Sequence, residues 1–348
     1  MHLPMKTALL ALLLTLTFAV HAQQTSISTL TGRSNTTHQN PVLNMDFPDP
    51  TVINVNGTYY AYATQAVHNG KMVNIQVASS TDLFNWKYEG DALPQKPVWA
   101  NKTQDFWAPH VLYDSTLKKY VLFFCAKSND TIIDKCIGVA YADKPAGPFI
   151  DKGTPLLGDK GFVDIDPMAL IDPQTGKKVL FWGSGFSPIK AQELNNDWST
   201  FKEGSSAVAV MYPGKESNYT KLIEGAWVDV YNGKYYLYYS GDNCCGAGAN
   251  YAVMVARADS IFGPYTRLAE ARDSSSSVVL AKDSTWLAPG HNSIFKDNKG
   301  NRYIAYHAIW RNEQKAENPT GKDHYVKRVL CIEPVKYING WPVITHAF

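Results

Sequence analysis

Five residues capable of chemistry recur at nearly constant intervals: Asp49, Trp107, Asp166, Glu224 and His291 lie 58, 59, 58 and 67 residues apart. Three carboxylates, an indole and an imidazole would suit one kind of reaction if they met. Cleavage of a glycosidic bond needs one carboxylic acid to protonate the departing oxygen and one carboxylate to activate water. An indole face can lie against a sugar ring. No single helix or strand can gather residues so far apart, so the fold must do it.

The elements around them repeat. Each of the five stands just ahead of an apolar run, a turn and a second apolar run: TVINVNGTYYAYAT after Asp49, APHVLYDSTLKKYVLFFCA after Trp107, and PMALIDPQTGKKVLFWGS after Asp166. GAWVDVYNGKYYLYYS follows Glu224 and NSIFKDNKGNRYIAYH follows His291. These are β-hairpins punctuated by Asn, Asp, Pro and Gly turns. A return strand and an outer strand follow four of them clearly, and YADKPAGPF and RADSIFGPY echo each other with Gly-Pro at the same turn. No stretch after the leader shows a 3.6-residue apolar stripe. Five similar all-β units predict an all-β fold, a five-bladed β-propeller forming one domain over residues 40–348. The first strand of each blade then borders a central channel, and the five residues converge on one face.

Bulk composition is consistent with this and excludes other classes. The 348 residues are 45% apolar and 18% charged, with a formal net charge of +2, which argues for a packed core and against a nucleic-acid partner. Lys6 followed by TALLALLLTLTFAV and ending at Ala22 reads as a cleavable signal peptide over residues 1–22, too short for a membrane span. It predicts export to the periplasm or the medium, with a polar leader over 23–39. Cys125, Cys136, Cys244, Cys245 and Cys331 match no zinc spacing. Cys125 with Cys136, and Cys244 with Cys245, are candidate disulfides; an odd count leaves at least one thiol unpaired.

NPVLNMDFPDPTV (40–52), DFWAPHV (105–111), DIDPMALIDPQTGK (164–177), LIEGAWV (222–228) and PGHNSIF (289–295) occur in that order at blade spacing. Together they resemble glycoside hydrolase family 43 from about Asn40 to Pro342. The resemblance implies an inverting hydrolase with Asp49 as general base, Glu224 as general acid and Asp166 as a third acid that tunes and orients Glu224. It also implies arabinose- or xylose-containing plant polysaccharides or oligosaccharides as partners. An α-L-arabinofuranosidase is favoured, with a β-xylosidase or endo-arabinanase as alternatives and a non-catalytic carbohydrate-binding propeller as the rival from another class. An inverting pair should stand roughly 6.5–9.5 Å apart to admit water.

Trp107 is expected to wall the sugar site. His291 reads two ways: as a buried hydrogen-bonded imidazole or, by the resemblance, as the residue holding a structural calcium on the propeller axis through water. Arg328 is expected to bind sugar or orient the base. No cofactor is required. Asp46 is read as a rim residue, Asp164 as a turn cap, Asp172, Asp229 and Asp297 as turn or surface acids, and His110 and His307 as structural. The loops over 65–72, 185–192, 241–250 and 311–323 would decide between a pocket and an open cleft.

Overall fold

The computed structural model describes Met1 and residues 39–215, 219–246, 248–311 and 326–345. The expected signal peptide and nearly all of the leader lie outside these residues, as do 312–323 of the last loop. Among the described residues no helix is long and apolar enough to cross a membrane.

Five antiparallel sheets of four or five strands follow one another along the chain, and a small two-stranded sheet, Ala66–His68 with Lys71–Val73, lies within the first. Their innermost strands are Thr51–Val55, Trp107–Asp114, Met168–Ile171, Ile223–Tyr231 and Trp286–Lys296, and each packs beside those of the blades before and after. This closes the ring of a five-bladed propeller. In every blade the second strand of the hairpin pairs with the first, and the return strand with the second. Residues 40–47 run onto blade five: Val42 N–H donates to Leu330 O (3.0 Å) and Phe47 N–H to Arg328 O (2.8 Å).

The second strands are apolar throughout because both of their faces are covered. In Lys119–Lys127, Leu122 and Phe124 pack with Tyr62 and Val77 of blade one. Val121, Phe123 and Cys125, pointing the other way, pack with Leu180 and Trp182 of blade three. Tyr236 and Tyr238 likewise face blade five, while Tyr235, Leu237 and Tyr239 face blade three. Each such side chain contributes on the order of 1.5–3 kcal/mol by leaving water.

Acids at the far ends of the inner strands tie neighbouring blades together. Asp114 accepts from Trp198 Nε1 (2.7 Å) and pairs with Lys178, Asp172 accepts from the Tyr235 hydroxyl, and Asp229 accepts from Arg302 Nε (2.7 Å) and Tyr337 Oη (2.9 Å). The sequence reading of Asp229 as a turn or surface acid is therefore corrected, whereas Asp172 and Asp297 do close their own turns, Asp172 while also accepting from the next blade. Both Gly-Pro bonds of the echoed turns, Gly147-Pro148 and Gly263-Pro264, are cis. Cys244 and Cys245 are bonded to each other. Cys125 and Cys136 are not, because they stand one register apart on paired strands and so point to opposite faces. Both are buried, as is the free Cys331.

Candidate active site

In each blade a residue at the matching position, at or just before the inner strand, adopts the left-handed conformation: Asp49 (φ 57°), Ala108 (48°), Asp166 (59°), Gly225 (60°) and His291 (46°), with Asp105 (68°) and Ala288 (48°) further instances in blades two and five. Three of the five matching residues fall at register shifts that bend the strand. The sequence spacing put Trp107 and Glu224 in phase with the others, and the structure moves the phase by one residue in those two blades. Where the left-handed residue is Ala108 or Gly225, the residue before it supplies the side chain. Glycine suits position 225, since a Cβ there would lie 3.3 Å from both Cγ and Nδ1 of His291, tighter than an ordinary contact.

Four of these turns are secured by the preceding blade. The backbone N–H of Asp49 donates to His307 Nδ1 (3.1 Å), that of Ala108 to Thr64 Oγ1 (2.9 Å), that of Asp166 to Cys125 Sγ (3.2 Å) and that of His291 to Ser240 Oγ (2.8 Å). In blade four the arrangement changes. Gly225 N–H donates to Asp166 Oδ2 (3.0 Å), and Ser184, from the position that secures the turn elsewhere, donates to Glu224 Oε2 (2.7 Å). The peptide that follows Glu224 is thereby fixed to Asp166.

Asp49 is buried. Thr64 Oγ1 donates to its Oδ2 (2.5 Å), and Arg328 Nη1 lies 3.2 Å from Oδ1, with His291 Nδ1 at 3.4 Å. Burial pushes its carboxyl up, but Arg328 and then His291 hold it well below the usual carboxylate range. Asp166 goes the other way: burial, and then the charges of Glu224 and Asp49, push it up to about 7 despite His291 and the Gly225 N–H. Burial pushes His307 down to about 4, so its Nδ1 is free to accept the Asp49 N–H. Glu224 is half-buried and takes a second hydrogen bond at Oε1 from Tyr251 Oη (2.7 Å).

All six sequence-derived candidates, Asp49, Trp107, Asp166, Glu224, His291 and Arg328, line one cavity of about 830 Å3. Trp107 lies parallel to Phe162 (6.1 Å between ring centres, 2° between planes), and the buried Lys135 reaches over both rings from its pairs with Asp105 and Asp134. Phe186, exposed at 79%, stands at the mouth, and Cys244 and Cys245 form part of the wall. Loop segments 185–187 and 242–245 therefore border the cavity, while 189–192 belongs to a strand.

Several expectations need correction. Asp46 does not border the cavity; it accepts the backbone N–H of Arg328 (2.9 Å) and so fixes the residue that reaches Asp49. Asp164, expected to cap a turn, accepts instead from Trp182 Nε1 (2.9 Å). His110 is structural, buried against Trp227, but His307 sits beside Asp49. Sequence reasoning missed His307, Thr64, Tyr251 and Ser184. Among the described residues no three His, Cys, Asp or Glu side chains form a metal-binding group. Nδ1 of His291 faces Asp49 (3.4 Å) and Asp166 (4.0 Å) instead.

A family model described as Glycosyl hydrolases family 43 matches residues 38–342. Beta-D-galactofuranosidase xynD of Aspergillus niger is 29% identical, covering 95% of this chain and 90% of that protein. Extracellular exo-alpha-(1->5)-L-arabinofuranosidase ArbA of Cellvibrio japonicus is 24% identical, covering 86% of each. Among solved structures, an alpha-L-arabinanase of Cellvibrio cellulosa complexed with arabinohexaose matches with a TM-score of 0.69 at 22% identity, over 86% of this chain and 95% of that one. The last likeness is one of fold.

Proposed function

The chain belongs to glycosyl hydrolase family 43 and is a hydrolase of O-glycosidic bonds, and from that premise we propose that it is an exported α-L-arabinofuranosidase acting on arabinose-containing plant oligo- or polysaccharides. The observation that carries the reading is the opposed state of two carboxyls in one cavity: Asp49 held ionised by Arg328, and Asp166 raised beside Glu224. Asp49 takes a proton from water as the water attacks the anomeric carbon. Glu224 gives its proton to the glycosidic oxygen, which departs with the bonding pair, and the product is inverted. Asp166 fixes the Glu224 backbone through Gly225 N–H, His291 bridges Asp49 and Asp166, and Trp107 with Phe162 offers a wall to the sugar. The reaction consumes only water and needs no cofactor. Export is supported by the N-terminal sequence and by a relative named extracellular.

A second reading, β-D-galactofuranoside hydrolysis, is favoured by the 29% identical relative. β-D-Galactofuranose repeats the ring configuration of α-L-arabinofuranose and adds one exocyclic carbon. A cavity of about 830 Å3, toward the upper end for ligand sites, has room for either sugar and for neighbouring residues of a chain.

The test is a panel of 4-nitrophenyl α-L-arabinofuranoside, β-D-galactofuranoside and β-D-xylopyranoside with debranched arabinan, following by NMR the anomer released first. The arabinofuranoside should turn over fastest and release the β-anomer. Preference for the xyloside or for internal cleavage of arabinan would move the activity accordingly, and retention would remove the acid–base assignment. Glu224→Gln should lose about 100-fold or more on α-1,5-arabinobiose, whose leaving group needs protonation, and far less on the 4-nitrophenyl arabinofuranoside.

A further inference from the structure

Tyr251 is the largest buried side chain at the site that the mechanism above leaves unused. It is wholly buried, and its hydroxyl has one partner among the described residues, Oε1 of Glu224 at 2.7 Å. Its ring lies nearly parallel to the imidazole of His307 (5.7 Å between centres, 11° between planes), whose Nδ1 accepts the Asp49 N–H. The chain makes room for that ring at Gly290, where a Cβ would stand 2.0 Å from Tyr251 Cδ1. Ala288 and Ile309 complete the packing, with Cys244 of the cavity wall against them. One side chain thus touches the carrier of the proposed proton donor and braces the residue that holds the proposed base.

We propose that Tyr251 is the positioning residue of the proton donor, fixing Glu224 through Oε1 so that the transferable proton resides on Oε2. The inference rests on the reading of Glu224 as general acid. With its sole acceptor at Oε1, the Tyr251 hydroxyl donates there and leaves Oε2 to carry the proton. Ser184 suits the other role. A serine hydroxyl rotates, donating to Oε2 when Glu224 is ionised and accepting from Oε2–H when it is protonated. In the reaction the Oε2–H bond breaks, the proton goes to the glycosidic oxygen, and the carboxylate left behind is held by both hydroxyls. Burial and the charge of Glu224 push the Tyr251 hydroxyl far above its ordinary ionisation range, so it stays a donor throughout.

Tyr251→Phe keeps the ring against His307 and removes only the hydroxyl. The expected result is a fall in kcat of about 10- to 100-fold on α-1,5-arabinobiose, less than about threefold on the 4-nitrophenyl arabinofuranoside, and little change in KM. A donor to the carboxylate favours its ionised form, so the basic limb of the pH–rate profile should move to higher pH. Site-specific 3-fluorotyrosine at 251, a stronger donor of nearly the same size, should move that limb to lower pH, and it carries the test if the Phe variant does not fold. Equal losses on both substrates, or a limb unmoved by either replacement, would overturn the role of Tyr251. Glu224→Gln measured alongside separates the two levels. If it discriminates between the substrates and Tyr251→Phe does not, only the positioning role falls; if Glu224→Gln fails to discriminate, the general-acid reading falls with it.

Discussion

Replacing Asp166 with Asn should change how stability depends on pH, by an amount the structure sets. In the native state burial, Glu224 and Asp49 raise this carboxyl from an ordinary value of 3.8 to about 7. The gap is roughly three pH units, worth about 4 kcal/mol at 1.36 kcal/mol per unit. The sign follows from proton counting. Between about pH 4 and 7 the native protein keeps a proton that the unfolded chain gives up, so stability falls as pH rises through that window and stays low above it. Asn removes the ionisation while retaining an oxygen for the Gly225 N–H, and it tolerates the left-handed φ of 59° at this position. Urea unfolding of both proteins from pH 5 to pH 8.5 should therefore show the variant gaining on the wild type as pH rises. Over that range the ceiling is about 3 kcal/mol, because only the two units between pH 5 and 7 are sampled and Glu224 and Asp49 still share the site. The same change should lower kcat and move the basic limb of the pH–rate profile to lower pH, since the proton donor loses a negative neighbour. Stability curves that run parallel within about 0.5 kcal/mol would refute the buried, raised carboxyl and the role built on it.

Arg328→Met removes the strongest of the charges that hold Asp49 low against its burial; the acidic limb of kcat/KM should rise by about one pH unit or more, and an unmoved limb would mean that the remaining partners of Asp49 suffice. Gly225→Ala puts a methyl group 3.3 Å from His291 in a left-handed turn at φ 60°; it should cost about 1–2 kcal/mol in urea unfolding and lower kcat more than it raises KM. Wild-type stability in that variant would show that the turn relaxes freely.

The propeller was legible because its cause is local. Each hairpin carries its own alternation and turn residues, and burial of both strand faces makes the second strands apolar without interruption, as in YVLFFCA and YYLYYS. The acids were legible because they precede those hairpins at a fixed spacing. What escaped notice depends on a neighbouring blade. Cys125, Ser184, Ser240 and His307 each follow an aromatic or a glycine in the second strand of their blade or just after it, in FC, GS, YS and YH, and Thr64 stands two residues after one in YAT. That recurrence was visible, but its purpose appears only when the next blade brings a backbone N–H, or in blade four a carboxylate, to meet it. Tyr251 was hidden for the same reason: it lies between two blades, in a loop whose course the sequence does not give.

The five left-handed turns show where this ring departs from what packing alone requires. A non-glycine residue in that conformation costs about 1–2 kcal/mol, least for Asp and Asn. Blade four uses glycine and blade two alanine, the smallest side chains available, and each sets its reactive group one residue earlier. Blades one, three and five instead place Asp49, Asp166 and His291 in the conformation itself, at φ 57°, 59° and 46°. A ring needing only closure would gain by glycine at all five positions. The sequence keeps three ionisable side chains there, and the turn directs all three into one cavity, with Asp49 and Asp166 on either side of a single imidazole nitrogen. Strain that persists at three related positions and points to the same few ångströms is evidence of a site, and it would stand even if the identity of the sugar were revised.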